Sequence, residues 1–115
     1  MLEAIDPRLL PVLAARLRAL AEPQRLRLMQ ALSDGEKTVG ELVDLTGTTQ
    51  PNVTRHVQKL EQSGWIARRR EGNRVYLRIA EEVSGELCQH ICGLVRQQAA
   101  QTAAVAATGE ERNLP

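Results

Sequence analysis

Aromatic side chains are nearly absent: the 115 residues include one Trp, one Tyr and no Phe. Leu, Val, Ile and Ala must therefore fill the core. A small core without large rings favours gaining burial by oligomerisation. Cysteine is scarce too. Two thiols, Cys88 and Cys92, do not make the disulfide framework that staples small secreted domains. Nor does any stretch approach the roughly 18 uninterrupted apolar residues of a membrane span. The N-terminal MLEAIDPRLLPVLAARLRAL carries acids before its apolar run and arginines within it, unlike a secretory signal. A cytoplasmic location without membrane contact is expected. There is no glycine-rich phosphate loop and no His/Cys/Asp set suited to nucleophilic catalysis, so an enzyme is not expected.

What is present is charge, unevenly placed. The formal net charge is only +1. Residues 1–48 hold six Lys/Arg against seven Asp/Glu, 49–80 hold seven against two, and 81–115 hold two against five. The segments therefore carry −1, +5 and −3. One central basic block implies a local polyanion-binding surface.

Hydrophobic spacing organises the chain. Leu9, Leu10, Leu13, Leu17 and Leu20 recur at helical intervals between Pro7 and Leu20. Pro23 suits the first turn of a second helix, which runs through Leu26, Leu28, Met29 and Leu32 to the turn Ser33-Asp34-Gly35. Thr38-Val39-Gly40-Glu41 reads as a capping box opening a short third helix, with Gly47 placed to end it. A fourth helix follows, capped by Thr48 or Thr49, and continues through Val53, Val57 and Leu60 to Gly64. The period then changes to that of strands. Trp65–Arg70 and Arg74–Ile79 flank the turn signal Glu71-Gly72-Asn73, and Val75, Leu77 and Ile79 alternate with Arg74, Tyr76 and Arg78. A long last helix is expected over about 81–106.

These elements predict a mainly α fold with a small β-hairpin: about five helices plus a two-stranded wing, in a winged helix-turn-helix arrangement. One domain spans 1–107, with the helix-turn-helix at 38–63 and the wing at 65–79; residues 108–115 form a polar tail expected to be disordered. Two short helices around Gly47 allow the second to enter a DNA major groove. Its side chains opposite Val53, Val57 and Leu60, together with its capping threonines, are Thr48, Thr49, Gln50, Asn52, Thr54, Arg55, His56 and Lys59. Gln and Asn can pair with adenine, Arg with guanine, and Thr with phosphate or the thymine methyl. Wing residues Arg69, Arg70 and Arg74 are placed to reach phosphates or the minor groove. The same residues also suit an ordinary solvated face or a module that contacts only proteins.

Ala19-Leu20-Ala21-Glu22-Pro23-Gln24-Arg25-Leu26-Arg27-Leu28 resembles a signature of the ArsR family of metal-responsive repressors. Gln50-Pro51-Asn52-Val53-Thr54-Arg55-His56, Leu60, Ser63-Gly64 and Arg74-Val75-Tyr76 are similar to that family as well. The resemblance covers about residues 10–95. It implies a homodimer built by the first and last helices, about 7–20 and 81–106, that binds an imperfect palindromic operator in double-stranded DNA. It also implies release by an inducer.

The sequence departs from the family's metal sites. The thiolate motif of the third helix falls at Thr38 and Gly40, which supply no sulfur. The site of the last helix falls at Glu81, Val83, Leu94 and Gln97, and neither Val83 nor Leu94 can ligate a metal. Cys88 and Cys92 remain, four apart and on one helix face. Two thiolates so placed suit arsenite or another soft metal ion as inducer. They equally suit oxidation or reaction with sulfur species, or simple packing within the apolar stripe Val83, Leu87, Ile91, Val95 and Ala99. No other cofactor is expected.

Overall fold

The computed structural model describes residues 5–81, 83, 90 and 92–101. These fall into two units, one ending at Glu81 and one beginning at Glu82.

The first unit opens with a 3-10 turn, Pro7–Leu9, capped by the Asp6 carboxylate accepting from the Arg8 N–H. Helix α1 follows directly over Leu10–Leu20. Next comes α2, Pro23–Ala31, with Pro23 in its first turn and the Glu22 carboxylate accepting from the Arg25 N–H. Helix α3, Val39–Thr46, begins at a complete capping box: the Thr38 hydroxyl accepts from the Glu41 N–H at 3.2 Å, and the Glu41 carboxylate accepts from the Thr38 N–H at 3.0 Å. Gly47 ends it at φ +70°, a left-handed conformation in which a Cβ is strained. Helix α4, Gln50–Gln62, starts at Thr49, whose hydroxyl accepts from the Asn52 N–H.

The expected wing is present. Strands β1, Ile66–Glu71, and β2, Arg74–Ile79, pair antiparallel from Ile66 opposite Ile79 to Glu71 opposite Arg74. Glu71 is thus strand and only Gly72 and Asn73 form the loop. Lys37, just before α3, exchanges both backbone hydrogen bonds with Leu77, at 3.0 and 2.8 Å. That bridge fastens the base of the hairpin to the turn between α2 and α3.

The apolar core joins these elements without Phe, Tyr or Trp. Leu28, Met29 and Leu32 meet Leu42 of α3, Val53, Val57 and Leu60 of α4, and Ile66, Leu77 and Ala80 of the hairpin and its end. Helix α1 is different: it buries none of its residues. Its link to the rest includes the Trp65 indole N–H, which donates to the Arg16 carbonyl at 2.8 Å.

In the second unit, residues 92–101 are helical. The last helix was expected to begin near residue 81, but Glu81 lies in a turn and Val83 in a bend. Residues 84–89, including Cys88, and the tail 108–115 lie outside the described residues.

Candidate nucleic-acid interface

Helix α4 presents two unlike faces. Val53, His56, Val57 and Leu60 are buried, a 3, 4, 7 pattern that turns one stripe inward. Gln50, Arg55 and Lys59 are exposed, whereas Asn52 and Thr54 are half-buried beside them. Gln58 is also exposed. The sequence reading missed it, although three residues beyond Arg55 and four beyond Thr54 is the same outward face.

The N-terminal turn of α4 is internally ordered. Thr48 accepts from the Asn52 side-chain amide at 3.0 Å, and the Asn52 carbonyl oxygen accepts from the Arg55 guanidinium at 2.9 Å. This chain holds Arg55 and Asn52 in fixed relative positions at the end of the helix where backbone N–H groups and the dipole favour a phosphate. Ordering them before contact lowers the side-chain entropy lost on binding.

His56 does not belong to that outward set. It was expected among the DNA-facing residues, but its relative exposure is 7%. Three residues after Val53 and four before Leu60, its side chain falls on the apolar stripe. There Nδ1 lies 3.3 Å from an Arg25 guanidinium nitrogen and 3.9 Å from the Glu22 carboxylate. Arg25 also donates to the Ala19 carbonyl at the end of α1. A neutral imidazole accepting at Nδ1 therefore ties α4 to α2 and, through Arg25, to α1. Burial lowers the His56 pKa from its ordinary value, and nearby Arg55 and Arg25 push the same way against the Glu22 carboxylate.

The wing sorts its arginines. Arg68 is paired with Glu61 of α4 at 2.6 Å. Arg69 is held by Glu36 and Glu71 and lies over the Tyr76 ring. Arg78 sits 3.7 Å from Glu81. Arg70 and Arg74 are exposed, and among the described residues neither forms an ion pair or hydrogen bond. Beside Arg74 and Asn73 an open groove reaches Thr38, Val39 and Gly40 in the first turn of α3.

A helix-turn-helix whose second helix shows an ordered polar N-terminus, beside a pinned hairpin with cationic tip, has the form of a winged-helix DNA reader. The pattern that describes the arsR family of bacterial regulatory proteins matches residues 22–67. Over 58 residues the chain is 41% identical to a probable mercury resistance operon repressor of Streptomyces lividans, covering 50% of this chain and 46% of that protein. Over 76 residues it is 34% identical to a biofilm growth-associated repressor of Agrobacterium fabrum, covering 66% and 65%. A homodimeric winged helix-turn-helix DNA-binding domain from Mycobacterium bovis, described as a possible ArsR-family regulator, superposes with a TM-score of 0.75. It is 29% identical over 88% of this chain and 95% of its own. A crystal structure of the same fragment is 33% identical over 82% and 97%, with a TM-score of 0.64. The chain belongs to the arsR family.

The matches to the two repressors span less than two thirds of their lengths. Within this arsR-family chain, the metal positions of better-known members do not fit a metal. Thr38 spends its hydroxyl on the helix cap and Gly40 has no side chain. Among the described residues no three His, Cys, Asp or Glu side chains converge. Cys92 is exposed in the helical segment, and its expected partner Cys88 lies outside the described residues.

Proposed function

We propose that this chain is a homodimeric, sequence-specific DNA-binding repressor that α4 and the wing seat on an imperfect palindromic operator. The observation that carries the reading is the outward face of α4, where Thr48, Asn52 and Arg55 form one hydrogen-bonded chain beside exposed Gln50, Gln58 and Lys59. Base edges are read by Gln50, Asn52, Arg55 and Gln58, phosphates by Thr49, Thr54, Lys59, Arg70 and Arg74. The homodimer is supported by α1 and the turn that leads into it, where Leu9, Leu10, Val12, Leu13 and Leu17 each stand 43–52% exposed. So long an exposed apolar face suits a second copy. In such a dimer two α4 helices about 34 Å apart enter successive major grooves on one side of the duplex.

Release is assigned to Cys88 and Cys92 as the binding site of a thiophilic metal or metalloid ion. Support comes from their i, i+4 spacing, from the exposure of Cys92, and from the likeness to a probable mercury resistance operon repressor. A soft cation favours two thiolates over the oxygen and nitrogen donors elsewhere in the chain. A coupling of roughly 1–3 kcal/mol would weaken operator binding about 5–150-fold.

The test begins by selecting duplexes from a randomised pool with reduced protein. Fluorescence anisotropy then follows binding with arsenite, Hg(II), Cd(II), Zn(II), and a persulfide or peroxide donor. Saturable, sequence-dependent binding released by a soft ion, and no longer released in the Cys88→Ser/Cys92→Ser variant, is the expected result. Release only by the oxidant or persulfide replaces the metal with a thiol-redox signal. Failure to enrich any duplex removes the repressor reading.

A further inference from the structure

The wing contains five arginines, and the structure divides them by what already holds them. Arg69 is the most fully engaged. Its Nε and one terminal nitrogen each donate to Glu36 at 2.9 Å, a two-pronged pair, while the other terminal nitrogen donates to Glu71 at 2.8 Å. The guanidinium carbon lies 4.7 Å from the centre of the Tyr76 ring, directly across the hairpin in the strand register. Glu36 is 33 residues away in sequence. It adjoins Lys37, whose backbone pairs with Leu77. The Arg69 side chain and the Lys37 backbone thus fasten the same turn to both strands of the wing.

Charge accounting decides what this cluster can do near DNA. One arginine with two carboxylates carries −1. Bringing Arg69 to a phosphate means giving up three hydrogen bonds and a ring contact. It also brings two carboxylates towards the polyanion, where like charges repel. Among the described residues Arg70 and Arg74 form no hydrogen bond or ion pair, and the nearest acid to act on Arg74, Glu41 in the first turn of α3, feels its charge without contacting it.

We infer that Arg69, with Glu36, Glu71 and Tyr76, is a positioning clamp that sets the attitude of the wing, and that Arg70 and Arg74 at the tip make the wing's phosphate contacts. The inference rests on the DNA-binding reading. It reverses the expectation for Arg69, which as a strand arginine beside the tip reads as a contact residue. The two acids have a function in it as well: they withhold one cation from DNA and spend it on geometry.

Salt dependence separates the two roles, because each phosphate contact contributes about 0.9 to the slope of log affinity against log salt. Affinity for a duplex selected by the wild-type protein is measured between 50 and 300 mM salt, with thermal melts confirming the fold of each variant. For a dimer with two wings, Arg74→Gln and Arg70→Gln are each expected to flatten the slope by about 1.8. Arg69→Gln is expected to weaken binding while leaving the slope near the wild-type value. Glu36→Gln takes away the charged two-pronged partner and leaves Arg69 only Glu71 and the Tyr76 ring. It is therefore expected to steepen the slope, because the cluster loses a negative charge and its guanidinium is freer to turn to phosphate. Flattening by Arg69→Gln equal to that of Arg74→Gln, or an unchanged slope in Glu36→Gln, overturns the clamp while leaving DNA binding standing. A wild-type protein without salt-dependent duplex binding overturns the DNA reading and the clamp with it.

Discussion

His56 shows how a single side chain ties the reading helix to the body of the domain. Its Nδ1 can accept from Arg25 only while the imidazole is neutral. Because burial lowers its native pKa below the ordinary 6.5, the unfolded chain takes up this proton more readily than the folded one. Stability therefore rises with pH in this range. The contribution is complete above about 6.5 and is lost as pH falls through the lowered native value. Urea midpoints measured from pH 7.5 to 5 should fall with pH in the wild type. His56→Gln, which keeps a polar group but cannot titrate, should show a flatter profile over the same interval. The lowered carboxylate pKa values of Asp34, Glu36 and Glu41 act further down the scale, in the acid limb below about pH 4.5. Counting His56 as an outward polar residue is the error a sequence invites, since residue type says polar while the spacing to Val53 and Leu60 says inward. Spacing wins because α2 supplies partners for the imidazole. Those partners, Arg25 and Glu22, lie about thirty residues upstream and leave no mark in the local pattern.

At the scale of the element, local chemistry was largely legible. Prolines in first turns, the Thr38–Glu41 box and the glycines at 47 and 72 each act through neighbours a few residues away, so short windows contain the whole cause. Removing one such cause gives a measurable loss. Thr38→Ala deprives the Glu41 N–H of its acceptor and should cost about 1 kcal/mol in urea unfolding. α3 is only eight residues long, so its loosening should also appear as faster amide exchange in its first turn. What short windows omit is long-range pairing. The bridge from Lys37 to Leu77 and the grip of Glu36 on Arg69 join segments separated by the whole helix-turn-helix. The alternation along β2 predicted a basic outer face, yet Arg78 and Arg69 on that face form ion pairs, whereas Arg74 forms none among the described residues and acts on Glu41 only through its charge. Residue type identified the cluster; only the fold could sort its members.

Across the whole molecule the scarcity of aromatics has its counterpart in α1. A core of Leu, Val, Ile, Met and Ala is enough to close α2, α3, α4 and the hairpin around Leu42 and Leu60, which are fully buried. It does not enclose α1, whose Leu10, Leu13 and Leu17 remain about half exposed. Each such side chain gains about 1.5–3 kcal/mol on full burial, so several together can drive association. In the proposed dimer, Leu13→Glu combined with Leu17→Glu places four carboxylates in one interface. Sedimentation equilibrium should then report monomers, and duplex affinity should fall at least about 100-fold, because the two half-sites no longer bind as a unit. Helical spacing foretold the apolar stripe on α1. That no other described element of its own unit covers this stripe is a property of the packed fold and could not be read from spacing.

The two backbone hydrogen bonds between Lys37 and Leu77 also bear on the thermodynamics of encounter. A hairpin already stitched at its base has little chain entropy left to lose when it meets a duplex. Association should then lack the large negative heat-capacity change of segments that fold as they bind, and titration calorimetry between 10 and 35 °C should return a value explained by the contact area alone. Lys37→Pro, which removes the N–H donated to Leu77, should make that heat-capacity change more negative as ordering of the wing becomes part of the binding reaction.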